Sequence, residues 1–213
     1  MNPSKSIDAS FLSIGKIDDP DPLPYARASY SERLAVLEQL RTRAHEMSRL
    51  REPSPGSESG QWPTIREILR AFAAHQVEFV IVGGYAVAFH GYDRFTGDID
   101  LFIHSTAENA RAIIAAFRGL HFEHPELTIE ALTARESVFR FGKRPEQTEL
   151  LLQVKGITWE EAWKNAIQFE LLGAPVRFVD LENLIKAKQA AGRPLDVNDV
   201  EKLRQIQRDS WLK

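Results

Sequence analysis

The sequence contains no cysteine among its 213 residues. That excludes disulfides and thiolate metal sites and fits a reducing cytoplasm, the expected location. Long hydrophobic runs are also missing: no stretch reaches the ~18 apolar residues of a membrane span. The beginning lacks a basic segment followed by an apolar core, so no secretory signal and no membrane partner are expected. Charge of one sign is not in excess. The formal net charge of −3 gives no global attraction to nucleic acid. The six histidines are scattered without metal-ligand spacing. Neither a Walker loop nor the Gly-x-Gly-x-x-Gly of dinucleotide binders occurs, and there is no internal repeat. What remains, 43% hydrophobic and 27% charged residues, describes an ordinary soluble globular chain with room for one medium domain and an extension.

Composition divides the chain near residue 60. Residues 1–28 are polar and turn-rich, with Asp18-Asp19-Pro20-Asp21-Pro22, and read as extended or disordered. Ser29 followed by Glu32 is a capping box that opens a helix, and Leu34, Leu37, Leu40, Ala44 and Met47 share one face of it. A helix this short needs something to dock on, its own domain or a partner. Residues 51–61, rich in Pro, Ser and Gly, read as a linker. The expected division is therefore an N-terminal extension over 1–60 and a domain over 61–213. Within the domain the pattern predicts a helix from Pro63-Thr64 capped by Glu67 and a strand over Glu78–Val82. A short helix follows from about Tyr85 to Phe89, then a strand over Asp98–Ile103 and a helix over Ala107–Leu120. Strands at Ser137–Phe141 and Thr148–Val154, a helix at Trp159–Asn165, and a hairpin of Ile167–Leu171 with Val176–Val179 come next. Helices at Leu181–Ala191 and Val197–Arg208 close the chain. This order is that of an α+β domain with a mixed sheet, not a doubly wound parallel one.

The chemistry concentrates in one stretch. The apolar run Phe79–Val82 ends in Gly83-Gly84, and the next strand begins Asp98-Ile99-Asp100. Residues two apart on a strand face the same way, so Asp98 and Asp100 aim two carboxylates at one place. Such a pair repels itself unless a cation intervenes, and Mg²⁺, with Mn²⁺ as its substitute, is the ordinary hard cation for it. The plainer alternative is two surface residues beside a turn. Gly83 and Gly84 either make a tight strand-to-helix turn or let backbone approach a phosphate with no Cβ between them. Arg94, four residues before Asp98, is either a loop arginine or a phosphate contact. His90 reads as a structural hydrogen-bonding residue, and Trp159 and Trp163 as core.

These residues resemble the DNA polymerase β-like nucleotidyltransferase superfamily, in which a strand ending in Gly-Gly or Gly-Ser is followed by a short helix and a strand carrying Asp-x-Asp. Arg94-Phe95-Thr96-Gly97-Asp98-Ile99-Asp100 looks like the compact toxin–antitoxin or abortive-infection type. Lys188 to Asp196, with Gly192-Arg193-Pro194, is similar to that type's distal segment. The resemblance covers roughly residues 62–212. It implies a polymerase β-like core and a Mg²⁺-dependent transfer of a nucleoside monophosphate from an NTP, ATP first, to a hydroxyl on a protein, an RNA or a small molecule. It implies Asp98 and Asp100 as metal ligands and catalytic residues, and Gly83, Gly84, Arg94 and Lys188 as nucleotide contacts. Glu149 stands where the type carries a third aspartate, as a third ligand and proton acceptor; the plainer alternative is the solvent-facing residue of an alternating strand. On length alone, Glu149→Asp is expected to preserve or raise activity. The rival expectation is a catalytically weak member acting as a binding module, in a toxin–antitoxin pair or a homo-oligomer.

Overall fold

A computed structural model describes residues 29–35, 38, 62–92, 94, 96–134, 138–142 and 147–211. The stretch 1–28, the linker 51–61 and the apolar positions Leu37, Leu40, Ala44 and Met47 lie outside the described residues.

The domain opens with α1 (Ile65–Ala74), started by Thr64, whose hydroxyl accepts from the Glu67 N–H while the Glu67 carboxylate accepts from the Thr64 N–H. Its stripe of Ile65, Ile68, Leu69 and Phe72 is buried. β1 (Phe79–Val82) follows, buried at every position as its unbroken apolar run requires. It runs directly into α2 (Gly83–Phe89), and β2 (Asp98–Ile103) returns antiparallel beside β1. After α3 (Ala107–Gly119) and α4 (Ile129–Thr133) come β3 (Val138–Phe141), β4 (Gln147–Leu151), α5 (Trp159–Lys164), β5 (Ile167–Leu171) and β6 (Ala174–Phe178). α6 (Leu181–Ala191) and α7 (Pro194–Trp211) end the described chain.

The six strands make one sheet in the order β3-β4-β2-β1-β6-β5. β1 pairs antiparallel with β2 and parallel with β6, and β2 pairs parallel with β4. This is the mixed sheet of an α+β domain flanked by helices. Its core is rich in aromatics: Phe89 stacks on Phe178 at 4.1 Å, and Phe117 meets Phe72 and Phe141. No helix among the described residues is long and apolar enough to cross a membrane.

Several elements differ from the sequence expectation, each for a local reason. α2 starts at Gly83, not Tyr85, so both glycines belong to its first turn. β6 starts at Ala174 and takes in Pro175. The register Ile81↔Phe178 puts Pro175 before the start of β1, where the strand has no neighbour on that side and proline is tolerated. α7 starts at Pro194, a residue suited to the first helical position because its missing N–H would have no partner there. α4 was not expected: five residues carry no readable period, although Thr128 caps it through the Ala131 N–H. Trp159 and Trp163 are only half-buried. They stack on each other, with His104 against Trp159 and the Arg177 guanidinium over Trp163.

The N-terminal helical segment docks on the domain's own α2. Ser29 and Glu32 form the expected capping box. Leu34 is buried, the Tyr30 ring lies flat on Phe89 at 4.2 Å, and Arg33 Nη1 donates to the Phe89 carbonyl. Tyr85 Oη donates to Glu38 Oε1.

Candidate active site

The sheet register builds the site. Val82, Asp100, Glu149 and Arg140 stand opposite one another on β1, β2, β4 and β3. Cross-strand partners share a face, so Asp100, Glu149 and Arg140 form one row. Asp98, two residues earlier on β2, joins the same face opposite Gln147. The three carboxylates singled out by sequence thus come together, although β2 and β4 are far apart in the chain.

The glycines explain how α2 reaches this row. Gly83 has φ +63°, a left-handed conformation, and a Cβ there would fall onto the Asp100 carboxylate, 2.6 Å from its carbon. A Cβ on Gly84 would come within 2.7 Å of the Thr96 Cβ. The Gly84 N–H also hydrogen-bonds the Asp100 carboxylate. The space above both glycines is therefore taken by the chain's own Asp100 and Thr96, which bring backbone against the acidic row. Thr96 Oγ1 in turn donates within reach of Asp98 Oδ1, 3.1 Å away.

Electrostatics mark Asp100 as the strained member. Burial, and then the charges of Asp98 and Glu149, push its carboxyl up to about 7, against a smaller lowering by Lys188 and the Gly84 N–H. Oxygen-only donors with mutual repulsion are the donor set a hard divalent cation relieves, and a cation at this row would be held by one or two of the carboxylates of Asp98, Asp100 and Glu149. Among the described residues, no group of three or more His, Cys, Asp or Glu side chains is arranged to hold a metal ion. Mg²⁺ normally takes one or two carboxylates and fills the rest of its shell with water and substrate phosphates, so the row fits it in that manner.

Glu149 is tied on its far side. Arg140 Nε and Gln147 Nε2 both donate to Glu149 Oε1, each at 2.8 Å.

The distal segment forms a buried ion cluster near the row, close enough for the Lys188 charge to act on Asp100. Lys188 Nζ lies 2.9 Å from Asp196 Oδ1 and 2.8 Å from Asp199 Oδ2, and all three residues are buried. Arg94 pairs with Asp199, its Nη2 donating at 3.1 Å, and Arg193 Nε donates to Asp196 Oδ2 at 2.6 Å. Burial works to raise the Asp196 carboxyl, but hydrogen bonds from Arg193 and Lys188 win and hold it below the ordinary range. Arg94 and Lys188, expected as phosphate contacts, are thus found engaged with carboxylates of α7. Asp196 occupies the third helical position and accepts from the Arg193 N–H, so it caps the helix from inside the first turn. Gly192 ends α6 with φ +65°. His90 is buried, its Nε2 2.7 Å from the Val179 carbonyl. Burial lowers its proton affinity, so it serves as a neutral hydrogen-bond donor.

Sequence reasoning did not find Arg140 or Gln147, and it gave Asp199 no role. Nothing in a linear pattern says that Arg140 meets Glu149, because the meeting is a matter of strand register. For Asp199 a signal existed: Asp196 and Asp199 are three apart on a helix and so share a face with each other.

Residues 62–213 match the model of a family described as nucleotidyl transferase of unknown function (DUF2204). No curated protein matches the chain.

Proposed function

The chain belongs to this nucleotidyl transferase family, and from that premise we propose that it is a Mg²⁺-dependent enzyme. It moves a nucleoside monophosphate from an NTP, ATP first, onto a hydroxyl acceptor and releases pyrophosphate. The observation that carries this reading is the placement of Asp98, Asp100 and Glu149 on one face, with Asp100 driven toward the protonated state by its neighbours. A bound Mg²⁺ would neutralise triphosphate charge and polarise the α-phosphate for in-line displacement. Asp98 and Asp100 hold the cation and Glu149 completes the acidic face. Gly83 and Gly84, packed against Asp100 and Thr96, bring the backbone of α2 to the edge of the nucleotide site. Arg94 and Lys188, inside the ion cluster, supply a fixed positive field near it. In the reaction the acceptor oxygen bonds to the α-phosphorus, the bond to pyrophosphate breaks, and the hydroxyl proton passes to the carboxylate row.

The acceptor is a protein side chain, an RNA end or a small molecule. The net charge of −3 favours an acceptor other than a long, tightly held RNA. A second reading, a catalytically weak module in a toxin–antitoxin pair, is favoured by one observation: Glu149 is already occupied by Arg140 and Gln147. The experiment is label transfer from α-³²P ATP or CTP to cell lysate with Mg²⁺. The wild-type chain is expected to label an acceptor and the double variant Asp98→Asn, Asp100→Asn to label none. Equal labelling by both sinks the metal-site assignment. No labelling by the wild type, with tight capture of one protein, favours the module.

A further inference from the structure

We infer that Arg140 and Gln147 are positioning residues that hold Glu149 by one oxygen so that its other oxygen is presented to the cation site. This rests on the metal-dependent reading above. Both donors converge on Oε1, at 2.8 Å each, and among the described residues no hydrogen bond falls on Oε2. The two donors come from different directions. Arg140 reaches across from the edge strand β3, directly opposite Glu149, while Gln147 lies two residues back on Glu149's own strand, on the same face. Oε1 is thereby fixed against rotation about the terminal torsion of the side chain, which is otherwise broad. The Glu149 side chain is largely enclosed, at 13% exposure, whereas Arg140 is 61% exposed. The arginine thus reaches Glu149 from the solvent side of the edge strand.

This arrangement accounts for a glutamate at a position where the resemblance expects an aspartate. The extra methylene carries the carboxylate toward β3, and the clamp fixes the longer, more mobile chain there. Removing one methylene would withdraw the carboxylate by about 1.5 Å. Contacts of 2.8 Å would then open beyond the ~3.2 Å limit of a good N–H···O bond. Glu149→Asp loses the clamp, which reverses the expectation drawn from side-chain length alone. Arg140 also offsets the charge of Glu149, so that a third carboxylate is tolerated beside Asp98 and Asp100. Outer hydrogen-bond partners of ligating carboxylates typically govern metal affinity or activity by 10–100-fold.

The test is Mn²⁺ binding to the full-length chain, read by the loss of free-ion EPR signal, for Arg140→Ala, Glu149→Asp, Glu149→Ala and the pair Arg140→Ala with Glu149→Asp. Arg140→Ala is expected to weaken Mn²⁺ binding about tenfold or more. Glu149→Asp is expected to weaken it similarly, and the pair no further than Glu149→Asp alone, because the shorter side chain has no clamp left to lose. In label transfer, kcat is expected to fall while the KM for NTP stays near wild type. Arg140 is exposed on an edge strand, so the melting temperature is expected to hold. Should it fall, Gln147→Ala reads the same clamp through its other donor, with a several-fold weakening expected. Mn²⁺ binding by Arg140→Ala equal to or tighter than wild type, while Glu149→Ala weakens it, overturns the clamp and leaves the proposed function standing. Unchanged binding in Glu149→Ala and in the Asp98→Asn, Asp100→Asn double variant overturns both.

Discussion

Replacing Asp100 by asparagine is expected to stabilise the protein above pH 7 and to leave it unchanged near pH 4. In the fold the carboxyl titrates near 7 instead of its ordinary 3.8, first because it is buried and then because Asp98 and Glu149 repel its charge. The folded state therefore keeps a proton that the unfolded chain releases anywhere between those two values. Stability falls with pH wherever the native state holds more protons, so this carboxyl costs nothing below about pH 4 and its full amount above about pH 7. Forcing ionisation across that interval costs an upper limit of about 4 kcal/mol at ~1.4 kcal/mol per tenfold. Movement of Glu149 and Asp98 toward solvent discounts that to roughly 2–4 kcal/mol. Asparagine keeps an oxygen to accept from the Gly84 N–H and carries no charge. In a domain of this size about 2 kcal/mol corresponds to roughly 4–8 °C. The assay is thermal unfolding in EDTA from pH 4 to 8, wild type beside Asp100→Asn. The two curves are expected to meet at the acid end and separate steadily above pH 5. Parallel curves with no gap at pH 8 refute the account of Asp100 as a destabilising, crowded carboxylate.

Two further outcomes follow from other parts of the structure. Lys188→Met leaves Asp196 and Asp199 buried with only one arginine each, and is expected to cost about 3 kcal/mol in urea unfolding; a loss under about 1 kcal/mol would mean that the arginines alone satisfy the carboxylates. Deleting residues 1–60 uncovers Phe89 and Tyr85 and removes buried Leu34, worth on the order of 1.5–3 kcal/mol; the core is expected to stay folded with altered turnover or mass in solution, and a truncated chain identical to the full one in stability, mass and turnover makes the segment an inert tail.

How far the sequence could be read depended on whether each feature was local. β2, with its bounds at Asp98 and Ile103, was legible because an apolar run met two aspartates at a glycine turn. β5 and α6 were legible at both ends, although the turn expected at Gly173-Ala174-Pro175 gives up Ala174 and Pro175 to β6 and the capping role of Asp180 appears only in the structure. The mixed sheet followed from the element order. The contact of Arg140 and Gln147 with Glu149 was not legible, since it depends on which residue of β3 lies opposite which residue of β4. The glycine pair in sequence fits either a tight strand-to-helix turn or room for a phosphate. Its nearest occupants are Asp100 and Thr96, a close approach that only the packing of β2 against α2 could reveal. Lys188 is visible in sequence as a cation, but its burial is set by α7, which starts at Pro194, three residues before the expected Val197.

The ion pair between Arg94 and Asp199 joins residues 105 positions apart. Apart from Arg94, the ion cluster near the carboxylate row is built from chain that comes long after β2, and contacts of such separation form late because the intervening loop must first be closed. During synthesis, β1, α2 and β2 can pair and bury their apolar faces while Arg94 still lacks Asp199 and the acidic row still lacks the field of Lys188. A chain interrupted just before residue 199 would hold Arg94 and Lys188 without the buried carboxylate of Asp199 that pairs with both. Charge balance at the site is thus tied to the arrival of α7, which is made long after the strands it serves.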